Sequence, residues 1–84
     1  MSDLNARFEA ARDDSKNLPE KPDNMTLLKL YALYKQGSVG DAEGDRPGMT
    51  QFVERAKWDA WNELKGTSQD EARQGYIDLI ESLK

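Results

Sequence analysis

Asn24-Met25-Thr26-Leu27-Leu28-Lys29-Leu30-Tyr31-Ala32-Leu33-Tyr34-Lys35-Gln36 is the stretch on which the fold turns. Leu27, Leu28, Tyr31, Tyr34 and Lys35 fall on one broad helical face, and Leu30 and Leu33 carry the apolar surface further round. That arc is wider than a single core contact requires. A helix this apolar is either central in a bundle or leaves one side for a ligand. Asp23 or Asn24 is placed to cap its start.

Three more segments with helical period flank it. The first spans about Leu4 to Leu18, with Leu4, Phe8, Ala11 and Leu18 on one stripe that Ser15 weakens. Leu18-Pro19 and Lys21-Pro22 break it, because a residue before proline avoids helical dihedrals. The third spans about Gln51 to Lys65, with Thr50 as its cap and Gly66 just past its end. Its expected core stripe is Phe52, Ala56, Ala60 and Leu64. The fourth follows Ser68-Gln69-Asp70-Glu71, a capping box, and repeats apolar residues at Ala72, Tyr76, Leu79, Ile80 and Leu83. Gly37 and Gly75 are poor helix formers and are expected to lower stability. Residues 37 to 49 hold four glycines and a proline, a long irregular connection. No strand pattern competes anywhere. The class is all-α, a four-helix bundle with a long loop between helices two and three.

The 84 residues form a single domain, 1-84, with a net charge of −4 and neither cysteine nor histidine. Disulfides and thiolate metal sites are excluded, and the commonest general base and metal ligand is missing. No metal, no cofactor and no catalysis are therefore expected. The charge argues against a broad nucleic-acid surface. Met1-Ser2-Asp3-Leu4-Asn5 lacks the basic and apolar regions of a secretory leader, and no apolar run approaches a membrane span. A cytoplasmic location without membrane insertion is expected.

Two clusters set lysine beside aromatic rings: Tyr31, Tyr34 and Lys35, then Lys57, Trp58 and Trp61. A flat ring and an ammonium together suit a flat base carrying phosphate. Spacing alone favours the plainer reading, in which the rings are core and the lysines solvated. The glycine-rich loop lacks a Gly-Lys-Ser/Thr ending, so it is not a P-loop. Asp41, Glu43 and Asp45 resemble the start of a calcium loop, but Arg46 and Phe52 occupy its required glycine and last acidic positions. The carboxylate pairs Asp13-Asp14 and Asp70-Glu71 read as a polar face and a helix start.

Four separated elements stand in a fixed order: YALYKQGSVGD at 31–41, RPGM at 46–49, AKWDAWNELKGTS at 56–68, and Tyr76-Ile77. This resembles the acyl-CoA-binding protein family over nearly the whole chain. The resemblance implies an up-down-down-up bundle with an open groove for acyl-coenzyme A. It implies that Tyr31, Lys35, Lys57 and Tyr76 meet the adenosine 3′-phosphate head, with Tyr31 and Tyr34 at the adenine and Lys16 as a further phosphate contact. Phe8, Ala11, Leu27, Leu28 and Ala56 would line the acyl route. The chain departs from the family pattern at Ser15, where valine is usual, and at Arg12, where many members carry a small or neutral residue. The implied function is non-catalytic binding and intracellular carriage of medium- and long-chain acyl-CoA by a monomer. The other reading is a helical interaction module that takes a peptide in the same groove.

Overall fold

The computed structural model describes residues 3–84, so Met1 and Ser2, which open the stretch read for a leader, lie outside it. Four helices appear, with no strand among the described residues: α1 (Leu4–Asp14), α2 (Asn24–Ser38), α3 (Phe52–Asn62) and α4 (Gln69–Leu83). A single 3₁₀ turn, Ser15–Asn17, prolongs α1.

Local chemistry explains most of the boundaries. The helix expected to reach Leu18 stops at Asp14, where Ser15 Oγ donates to the Arg12 carbonyl at 2.6 Å. Leu18 is then extended, with φ −68° and ψ 146°, as a residue before proline must be. Asp23, not Asn24, caps α2; its Oδ1 accepts from the Thr26 N–H at 2.8 Å, which holds the carboxyl below its ordinary pKa. That helix continues two residues past Gln36, to Ser38. The third helix is shorter than expected: Thr50 does not cap it, Gln51 precedes it without a side-chain cap, and it gives way after Asn62 to turns closed by Leu64 N–H to the Trp61 carbonyl and Lys65 N–H to the Asn62 carbonyl. Gly66 has φ +92°, the left-handed geometry that glycine supplies without cost. The capping box at Ser68 and Glu71 is formed in both directions.

Helix α2 is the centre of the bundle, packing on both α4 and α3, while α1 packs on α4. Leu33 lies against Gly75, and Gly37 against Arg73, so α2 and α4 run antiparallel. The Tyr31–Lys57 and Lys35–Trp61 contacts climb both helices together, so α2 and α3 are parallel. Asp14 and Lys84, at the C-terminal ends of α1 and α4, pair at 2.8 Å. The up-down-down-up order follows. Two parallel neighbours need a long link, which residues 39–51 provide.

The core is Phe8, Ala11, Leu30, Tyr76, Ile77 and Ile80. It lies between α1, α2 and α4, and no residue of α3 is buried. Here the expected stripe of α3 fails: Phe52 is 78% exposed. Only α2 flanks this helix closely, so its first turn overhangs a groove instead of a core.

Gly37 and Gly75 are not the liabilities their helix propensity suggests. A Cβ on Gly37 would stand 2.9 Å from Arg73 Cγ and 3.2 Å from Phe8 Cζ; one on Gly75 would stand 3.2 Å from Leu33 Cδ2. Both glycines let α2 and α4 approach closely, and the packing gained offsets a propensity cost of about 1 kcal/mol.

Gln36 is 0% exposed, and its Nε2 donates to Asp41 Oδ1 and to the Thr67 carbonyl, each at 2.8 Å. Replacing it by glutamate sets a buried carboxylate against two acceptors. We expect Gln36→Glu to lose about 3 kcal/mol by urea unfolding at neutral pH. The folded-state pKa of such a group is raised, so the loss is full above that pKa and shrinks as pH falls toward the ordinary glutamate range. A variant as stable as the parent at neutral pH would remove Gln36 as the pin of the loop.

Candidate functional site

Much of the 31–61 motif is spent on holding the long loop. Gln36 and the Gly66 N–H both donate to Asp41 Oδ1, at 2.8 and 3.0 Å, and these bonds keep that carboxyl below its ordinary pKa. Trp61 Nε1 donates to the Gly40 carbonyl at 2.8 Å. Arg46 grips Asp59 through both carboxylate oxygens, at 2.8 and 2.6 Å, and this pairing holds the Asp59 pKa down. The bidentate geometry fixes the RPGM turn to the middle of α3.

These clamps place α3 beside α2, and a cleft of about 560 Å³ opens between them and α1. All six predicted head-group residues, Lys16, Tyr31, Tyr34, Lys35, Lys57 and Tyr76, line it. Lys57 Nζ lies 5.3 Å from the Tyr31 ring centroid and Lys35 Nζ 5.1 Å from that of Trp61. Each lysine therefore rests on a ring that a neighbouring helix or loop holds still. Tyr34 stacks on Phe8 with centroids 5.5 Å apart, and Tyr76 meets Phe8 edge-on at 5.3 Å. Tyr34 and Tyr76 thus belong both to the core and to the cleft wall, while Tyr31 stands at the wall alone. Burial pushes the Tyr76 hydroxyl above its ordinary pKa, so it stays protonated at neutral pH. No carboxylate lines the cleft among the described residues.

A second cavity of about 370 Å³ adjoins the first, sharing Leu27 and Lys57 with it. Leu28, Phe52, Val53 and Ala56 complete its apolar wall. Three of the predicted acyl-route residues, Leu27, Leu28 and Ala56, meet here. Phe8 and Ala11 do not line it; both are buried in the core beneath the cleft, because α1 packs on α4 and not on α3.

Beyond the residues expected there, Arg12 and Ser15 line the first cavity, and Phe52 and Val53 the second. Arg12 and Lys16 are one turn apart on the same face, a signal that spacing offers. Phe52 carried none, since its register matched a core stripe. Among the described residues no group of three or more acidic side chains is placed to hold a metal ion, and no helix is long and apolar enough to cross a membrane.

A family model described as Acyl CoA binding protein matches residues 5–80. The chain is 49% identical over 76 residues to acyl-CoA-binding protein homolog 1 of Caenorhabditis elegans, covering 90% of this chain and 88% of that protein. It is 46% identical over 76 residues to the acyl-CoA-binding protein of Saccharomyces cerevisiae, covering 90% and 87%. The crystal structure of Oryza sativa acyl-CoA-binding protein 2 superimposes with a TM-score of 0.91 at 40% identity, covering 95% of this chain and 89% of that one. The solution structure of the yeast protein does so with a TM-score of 0.72 at 46% identity, covering 90% and 88%.

Proposed function

The chain belongs to the acyl-CoA-binding protein family, and we propose that it takes the coenzyme A head in the cationic cleft and the acyl tail in the adjoining apolar groove. It binds fatty acyl-CoA thioesters and carries them. The observation that supports this placement best is the continuity of two unlike surfaces. A cleft lined by Arg12, Lys16, Lys35 and Lys57, with no carboxylate, opens into an apolar groove through Leu27 and Lys57. The chain as a whole carries −4, so this concentration of positive charge is local. A ligand with several phosphates at one end and a hydrocarbon at the other matches it. Tyr31 offers the base a ring, and the lysines offer the phosphates point charges. A peptide groove of the same apolar lining has no use for four cations beside tyrosines.

Calorimetric titration with palmitoyl-coenzyme A and with free palmitate tests the placement. Tyr31→Ala, Lys35→Ala and Lys57→Ala are each expected to weaken binding of the thioester by about 1–3 kcal/mol. Lys29→Ala is the control, since Lys29 lines neither the cleft nor the groove. Four variants with the parent affinity, or equal affinity for palmitate and its thioester, would put the head group elsewhere.

We read the carrier as non-catalytic, medium- to long-chain in preference, monomeric and cytoplasmic. The chain has no histidine or cysteine to activate a nucleophile, and the cleft holds no carboxylate to act as a base. Incubation with palmitoyl-coenzyme A is expected to release no thiol above background. Release abolished by Lys57→Ala would overturn the non-enzyme reading. Sedimentation with and without ligand checks the monomer, and cell fractionation the location.

A further inference from the structure

We infer that Arg12 is a specificity-determining residue of this cleft, contributing a guanidinium donor to the terminal phosphate monoester of the nucleotide head. The inference rests on the head-group placement proposed above.

Three observations carry it. The Arg12 guanidinium stands 4.9 Å from the Tyr34 ring centroid. A guanidinium held over a ring makes that contact without spending its N–H groups, which stay free to form paired hydrogen bonds to phosphate oxygens. Among the described residues Arg12 has no ion-pair partner, whereas Arg46 is held by Asp59 and Arg73 by Asp70. Its charge is therefore uncommitted at the wall of a cleft that already gathers Lys16, Lys35 and Lys57.

The neighbouring donor is engaged. Ser15 Oγ donates to the Arg12 carbonyl at 2.6 Å. That bond closes the last turn of α1 and fixes the backbone from which Arg12 reaches the cleft. The ring of Tyr34 meanwhile rests on Phe8 and so holds the stacked guanidinium in place.

The purely structural alternative is that Arg12 only covers Tyr34. The two roles separate when one phosphate is removed from the ligand. Affinities for palmitoyl-coenzyme A and palmitoyl-3′-dephospho-coenzyme A are to be measured on the parent, Arg12→Ala and Arg12→Lys. The parent is expected to prefer the phosphorylated ligand. Arg12→Ala should cut that preference roughly 10-fold, the low end for a charged hydrogen bond because the side chain is exposed. Its affinity for the dephospho ligand should stay within about 2-fold of the parent, since the lost contact is absent there. Arg12→Lys should restore part of the preference, as a point charge without the paired geometry. Equal losses for both ligands, or no loss for either, would overturn the role of Arg12 and leave the head-group placement standing. A parent that does not distinguish the two ligands would overturn both.

Discussion

Palmitoyl-coenzyme A is expected to raise the melting temperature of this protein by many degrees, free coenzyme A by fewer, and thioesters of intermediate length by intermediate amounts. A ligand that binds only the folded state stabilises it by about 2.7 kcal/mol when its free concentration is 100 times Kd. In a domain of this size 1 kcal/mol moves the midpoint by roughly 4–8 °C. The gradation comes from the groove. Leu27, Phe52 and Val53 are exposed large apolar residues on its wall, and a tail laid there covers them as it leaves water. Each methylene buried is worth about 0.8 kcal/mol, so eight carbons against sixteen differ by up to about 6 kcal/mol. The gain per carbon should fall to zero where the groove ends, and that length is its capacity. Thermal scans at one fixed ligand concentration give the series directly. A midpoint indifferent to chain length would place the tail outside the groove and move the peptide-binding reading ahead.

Ile80→Ala is expected to cost about 2–5 kcal/mol. Ile80 is 0% exposed and packs with Phe8, Ala11, Leu30, Tyr76 and Ile77. Helices α1, α2 and α4 all meet at that cluster, so a cavity there cannot close by moving one helix. A small domain commands only about 5–15 kcal/mol in all, so the variant should be partly unfolded near body temperature. Urea unfolding should show a lower midpoint with an unchanged slope. Ile80 lines neither the cleft nor the groove, so saturating palmitoyl-coenzyme A should refold the variant, and its folded fraction should bind as the parent does. A loss below about 1 kcal/mol would mean that the cluster is not the keystone of the bundle.

The starts of α2 and α4 were legible because capping is local. Asp23 and Ser68 each bond to an N–H three residues on, and such a bond needs nothing from the rest of the chain. The Leu18-Pro19 break was legible for the same reason. The lysine–aromatic clusters were legible as clusters but not as a site. Spacing places Lys35 near Tyr31 on one helix; it says nothing of Trp61, which arrives from α3 to carry the lysine. Phe8 and Ala11 show the converse. Their register marks a buried face, and only the packing of α1 on α4 decides that this face is core and not groove.

By itself, then, the order of residues determined the number and type of helices, the caps at Asp23 and Ser68, the family resemblance and the absence of the usual catalytic groups, because each depends on identity or on neighbours within one turn. The tertiary structure decided what lies between helices. Phe52 is groove wall because α3 has a neighbour on one side only. Gly37 and Gly75 are contacts because α2 and α4 meet there. Asp41 and Asp59, acidic residues that invite a chemical role, are clamps because Gln36, Gly66 and Arg46 come to them. Arg12 joins Lys16, Lys35 and Lys57 at the cleft because α1 ends beside Tyr34. None of these is local: each joins residues from separate segments, and the pairing exists only once the backbone has brought them together.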